Sequence, residues 1–203
     1  MIKNRRAFIV GIKSTVLYKK EKKFLEKYKP WGVILFSRNV KNFQQIKKLI
    51  SDIKLVFKDK KYPILIDQEG GRVNRLNKLI ESSIFTAEFF GNLYKNNRYK
   101  FHNYYKIYIN QISYLLKELG ININTVPVLD IKRFKSNKII GDRSYSSIPK
   151  NVSKIGDFCI EEFTKNRIGT VIKHIPGHGL AKVDSHKKTP IVNFKSKYLF
   201  KND

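Results

Sequence analysis

Short apolar runs alternate with stretches of helical periodicity along this chain, and that alternation decides most of what it can fold into. The runs are residues 7–12 (AFIVGI), 32–36 (GVILF), 63–67 (PILID), 122–130 (NINTVPVLD) and 169–174 (GTVIKH). Each is rich in Ile, Val or Leu and is bounded by Gly, Pro or polar residues, the pattern of a buried strand. Between them, residues 21–28, Phe43–Phe57, 99–119 and 152–165 read as helices. The clearest is Phe43–Phe57, where Phe43, Ile46, Leu49, Ile50, Ile53 and Phe57 recur at spacings of three or four. The long helix carries Ile112, Leu115, Leu116 and Leu119 on one face. Strands that are apolar on both faces and separated by helices predict a parallel sheet with covered faces, an α/β fold.

The polar residues gather where the strands end: Arg38 and Asn39, Asp67 to Arg72, Asp130, and Lys173 to His178. Carboxyl ends of strands carry the chemistry both in closed (β/α)₈ barrels and in open α/β sheets. Five strands in 203 residues fall short of the eight strands and about 250 residues of a barrel. The pattern alone leaves two architectures, an open sheet or a barrel that stops early.

The charge is the other conspicuous feature. Lys+Arg number 42 against 16 Asp+Glu, a formal net charge of +26, which raises the question of a nucleic-acid partner. The excess is almost all Lys, 33 against 9 Arg, and it is scattered along the chain. Ala occurs three times, whereas Ile, Asn, Phe and Tyr abound. The abundant residues have A/T-rich codons, so base drift accounts for the basicity without a polyanion, and the Arg favoured for bidentate base contacts is scarce. The expectation is no nucleic acid. Nor is there an apolar run near the roughly 20 residues of a membrane span. The apolar N-terminal stretch, residues 7–12, is short for a signal peptide and Lys13 follows it at once. The single Cys159 excludes an intrachain disulfide and a multi-Cys zinc cluster. A cytoplasmic protein with no membrane contact is the default expectation.

Three constellations could carry chemistry. In Asp67-Gln68-Glu69-Gly70-Gly71-Arg72, followed by Asn74-Arg75, carboxylates at a strand end can accept from sugar hydroxyls and an Arg can donate to carbonyls or carboxylates. The same residues would also make a charged turn with internal Asp–Arg pairs. In Lys173-His174-Ile175-Pro176-Gly177-His178-Gly179, with Asp184-Ser185-His186 after it, three of the four His in the chain come together. Histidine is the side chain most easily tuned for proton transfer near neutral pH. Asp184 could orient the His186 imidazole and stabilise its charged form. The alternatives are a polar surface loop or a metal site, but the spacing matches no standard zinc signature. Ile140-Gly141-Asp142-Arg143-Ser144-Tyr145-Ser146 alone reads as a structural turn with an Asp–Arg pair. No nucleophile elbow and no P-loop is present.

Together the ordered segments GVILFSRN, IDQEGGRVNRL, NINTVPVLD, IGDRSYS and VIKHIPGHGLAKVDSHKKTP resemble the bacterial cytoplasmic β-N-acetylhexosaminidases of glycoside hydrolase family 3. The resemblance runs from about Phe8 to Val192. It implies a (β/α)₈ TIM-barrel type fold, here incomplete with about the first five βα units. Residues 1–203 would be the N-terminal part of one catalytic barrel domain. The implied activity is removal of terminal β-linked N-acetylglucosamine, in muropeptide recycling, by a retaining mechanism through a covalent glycosyl-enzyme. Neither cofactor nor metal is implied. Carried over by motif, Asp67 would hold sugar hydroxyls and Arg75 would shape the same pocket. Arg143, Lys173 and His174 would bind the N-acetylglucosamine. His186, paired with Asp184, would be the general acid/base.

The family nucleophile is an Asp after the seventh barrel strand, and no segment of this sequence matches it. Three βα units, on the order of 100 residues, are unaccounted for. The two edge strands of such a part-barrel would expose unpaired backbone groups. The expectation is therefore a fragment of a longer gene, a chain that pairs with a second chain or with itself to close the sheet, or a degraded remnant. A non-catalytic sugar-binding remnant is the alternative function, and a basic nucleic-acid-binding protein the more distant one.

Overall fold

The computed structural model describes residues 4–133, 139–180, 183 and 189–202. Its strands and helices alternate: β1 (Arg6–Gly11), α1 (Lys19–Tyr28), β2 (Pro30–Leu35), α2 (Phe43–Phe57), β3 (Ile64–Ile66), a small hairpin of β4 (Gln68–Gly70) and β5 (Val73–Asn74), α3 (Ala87–Asn96), α4 (Arg98–Leu119), β6 (Ile123–Asn124), α5 (Pro149–Lys165), β7 (Gly169–Thr170) and α6 (Ser196–Asn202). The main sheet has five strands in the order β1-β2-β3-β6-β7, and every pairing in it is parallel. Each new strand is added beside the last, and helices join them. That is the winding of a (β/α)₈ barrel rather than of a doubly wound sheet, whose strand order reverses.

The apolar patterning explains the packing. In α2, Ile46, Leu49, Ile50 and Ile53 are buried against the sheet, each worth about 1.5–3 kcal/mol relative to exposure. The Asn42 side chain caps the helix by accepting from Gln45 N at 2.9 Å. In α4 the buried stripe is Ile109, Ile112, Leu116 and Leu119. Leu115, expected on that stripe, is only partly buried, and Ser113 is buried instead. All three residues of β3 are buried, as expected of a strand covered on both faces. β1 departs from that expectation. It pairs only with β2, and Ile9 is 44% exposed. Among the described residues β1 and β7 each keep one unpaired edge.

The fourth and fifth strands are shorter ladders than the apolar runs predict. Pro127 has no N–H to donate, so regular pairing stops at Asn124. The two segments nevertheless stay side by side. Val128 bridges Lys173, Leu129 N donates to Lys173 O at 2.6 Å, and Lys173 N donates to Pro127 O at 3.2 Å. This contact sets Asp130 beside His174. Helix α3 was not foreseen. Its aromatic residues and central Gly91 are poor helix signals, but Thr86 caps it, and packing requires the glycine. A Cβ at Gly91 would stand 1.7 Å from the Tyr145 carbonyl oxygen, so α3 and the segment carrying Arg143 are closely pressed.

Candidate active site

The carboxyl ends of β3, β6 and β7 and the segment before α5 converge on one ion-pair network. Asp67 follows β3 directly. Its Oδ1 accepts from Lys173 Nζ at 2.9 Å and from the Thr125 hydroxyl. Its Oδ2 lies 3.4 Å from Arg75 Nη2. Burial alone would raise the Asp67 pKa, but the Lys173 charge, the Thr125 hydroxyl and Arg75 outweigh it and hold it below the ordinary carboxylate value. The hairpin β4–β5 is what returns Arg75 to Asp67. It turns at Gly70, whose φ of +97° suits glycine.

Glu69 is the second anion. Its side chain is only 8% exposed. Arg143 clasps it through two hydrogen bonds, Nε to Oε2 at 2.8 Å and Nη2 to Oε1 at 2.9 Å, the bidentate geometry of strong Arg–carboxylate pairs. Lys173 Nζ is also 2.5 Å from Glu69 Oε1. Burial works against the Arg143 charge, yet Glu69 outweighs it and moves the guanidinium pKa upward. Arg143 is thus no partner of its neighbour Asp142. That carboxylate pairs with Arg72 Nε at 2.8 Å, which corrects the local Asp–Arg turn expected for residues 140–146.

Asp130, with a fully buried side chain, organises the last segment. Its Oδ2 accepts from His174 N at 3.3 Å and lies 2.5 Å from His174 Nδ1. Its Oδ1 accepts from His178 N. Burial pushes the Asp130 pKa up, but His174 and the backbone N–H of His178 outweigh it, and the net direction is down. Arg75 Nε and both ring nitrogens of His178 are buried without a hydrogen-bond partner. Such groups invite a polar ligand. Cys159 is buried at 1% exposure, and burial pushes its thiol up to about 12, away from the thiolate form a nucleophile needs.

Of the residues singled out from sequence, Asp67, Arg75, Arg143, Lys173 and His174 are therefore brought together. Asp184 and His186 lie outside the described residues. Among the described residues no group of three or more His, Cys, Asp or Glu is placed to hold a metal ion, and no helix is long and apolar enough to cross a membrane. Glu69, Thr125, Asp130 and His178 join the site without having been assigned a place in it. The signal for three of them was present, because Glu69 lies in the Asp67 motif, Asp130 ends an apolar run and His178 belongs to the His cluster. Thr125 carried none.

Comparison with known proteins identifies the family. Residues 9–203 match the glycosyl hydrolase family 3 N-terminal domain. The chain belongs to glycosyl hydrolase family 3. Among curated family 3 relatives, it is 34% identical over 177 residues to beta-hexosaminidase A of Pseudoalteromonas piscicida, covering 83% of this chain and 28% of that protein. It is 32% identical over 195 residues to beta-hexosaminidase of Actinobacillus succinogenes, covering 96% and 55%. The crystal structure of NagZ from Neisseria gonorrhoeae in complex with N-trifluoroacetyl-D-glucosamine superimposes with a TM-score of 0.84 at 28% identity, over 97% of this chain and 57% of that one. The family 3 fold is thus a TIM-type barrel of which these residues form the first part, and the chain spans about half or less of the curated relatives it matches.

Proposed function

We propose that residues 1–203 are the sugar-binding, N-terminal part of a single catalytic barrel domain that removes terminal β-linked N-acetylglucosamine from cell-wall muropeptides in the cytoplasm. The observation that carries this reading is the meeting of Asp67, Arg75, Arg143, Lys173 and His174 at one end of a parallel sheet. Its carboxylates can accept from ring hydroxyls, and its cations and imidazole can hold hydroxyl and N-acetyl oxygens.

His186, oriented by Asp184, would protonate the leaving glycosidic oxygen and then take a proton from the attacking water. The nucleophile would be a carboxylate on polypeptide carrying barrel strands six to eight, since no segment of this sequence matches it. The edges of β1 and β7 that stay unpaired among the described residues support that division, because strands eight and six of a barrel would add there. Pairing with a second chain would meet the same need.

The test is release of a chromophore from a β-N-acetylglucosaminide. Residues 1–203 alone are expected to release none, and release should begin when a polypeptide bearing strands six to eight is added. Release by residues 1–203 alone would contradict the external nucleophile. Silence in both mixtures would contradict the hydrolase reading.

A further inference from the structure

Glu69 has no place in the roles described above, yet it is the anion that joins Arg143 to Lys173. It neutralises Arg143 through two hydrogen bonds and contacts Lys173 at 2.5 Å. The cations it joins come from distant parts of the chain, Arg143 from the turn before α5 and Lys173 from the end of the fifth strand. Both are held well inside, at 14% and 15% exposure. Without Glu69, Arg143 and Lys173 would lose the carboxylate that lies between them, leaving only Asp130 and Asp67 to act on Arg143 from farther off, and the two partly buried like charges would repel. Glu69 is itself fixed from behind, for the Tyr108 hydroxyl donates to its carbonyl oxygen at 3.3 Å.

We infer that Glu69 is a positioning residue, which sets the separation of Arg143 and Lys173 and so decides how tightly the site holds a neutral amino sugar. The inference rests on the sugar-site reading for its ligand, but the geometry it claims exists without sugar. A carboxylate shared by two cations keeps both extended toward one point. Lys173 Nζ is then fully engaged by Glu69, Asp67 and Thr125. Arg143, whose Nη1 also donates to the Ile139 carbonyl at 3.2 Å, keeps its other guanidinium N–H groups for the ligand. The amide of a Gln keeps the shape but can no longer balance either charge, so both cations drift apart.

The experiment uses the full chain and the variants Glu69→Gln and Glu69→Asp, all held well below their melting temperatures. N-acetylglucosamine is titrated by calorimetry, and solvent exchange of the Arg143 Nε–H is followed by magnetic resonance on isotope-labelled protein. Glu69→Gln is expected to weaken sugar binding about tenfold to a hundredfold and to speed the Arg143 exchange. Glu69→Asp, which keeps the charge but withdraws it by one methylene, should fall between. A purely structural role would instead lower the melting temperature and leave the affinity of the folded protein unchanged, and that result overturns the inference. Should the unmodified chain bind no N-acetylglucosamine, the sugar-site reading fails and the exchange measurement decides alone. Faster Arg143 exchange in Glu69→Gln then upholds positioning, and equal exchange overturns it.

Discussion

Asp67→Asn is expected to weaken N-acetylglucosamine binding by about a hundredfold, in line with hydrogen bonds to charged groups at about 1.5–3 kcal/mol each. The substitution changes no volume. It removes the charge that Lys173 approaches to 2.9 Å and Arg75 to 3.4 Å. It also puts an NH₂ where one acceptor oxygen stood, so one hydroxyl of the sugar faces a donor. Calorimetry checks it against the unmodified chain. A dissociation constant unchanged by Asp67→Asn would mean that the carboxylate serves only the ion pairs.

The second large effect concerns Asp130. Asp130→Ala leaves three donors without their acceptor, namely His174 N, His174 Nδ1 and His178 N. Unsatisfied buried groups cost about 1–3 kcal/mol each, and some will find water. A loss of about 2–5 kcal/mol is expected, a fall of roughly 5–15 °C in Tm for a domain of this size. The acid behaviour should change with it. The folded-state pKa of Asp130 lies below the ordinary value, so its stabilisation is complete above the unfolded-state pKa of about 4. It is lost as pH falls through the folded-state value, where the carboxylate must take up a proton. Asp130→Asn should therefore show a shallower fall of Tm below about pH 4 than the unmodified protein. Thermal melts across the acid range check both points, and a variant with unchanged Tm and an unchanged acid limb would contradict the role of Asp130 as organiser.

Much of this fold is legible in the amino-acid sequence. The bounds of α2 follow from a periodic apolar face that begins beside Asn42, because amphipathic spacing and capping are local properties. The strands β1, β2 and β3 follow from apolar runs for the same reason. What was not legible is whatever distance along the chain conceals. Glu69 and Arg143 lie 74 positions apart, and nothing in either motif says that the two clasp each other. Read locally, Arg143 belonged with Asp142, whereas the fold gives Asp142 to Arg72. Helix α3 was hidden because its central Gly91 opposes helix locally and is required only by the nearby Tyr145 carbonyl. The hairpin that carries Arg75 back to Asp67 comes from turn residues with no strand pattern. Motif resemblance is what assigns Asp67, Arg75, Arg143, Lys173 and His174 to one sugar site. Taken alone, the Asp67 motif is equally a charged turn, the Arg143 segment reads as a structural turn, and the Lys173–His178 cluster points to proton transfer without saying on what.

The central claim is that the ends of β3, β6 and β7 form a site for N-acetylglucosamine. Chemical-shift mapping of the isotope-labelled chain during titration with N-acetylglucosamine tests it most directly. A sugar site predicts saturable shifts centred on Asp67, Glu69, Arg143, Lys173 and His174. Shifts centred elsewhere, or no shifts at saturating sugar, would contradict it.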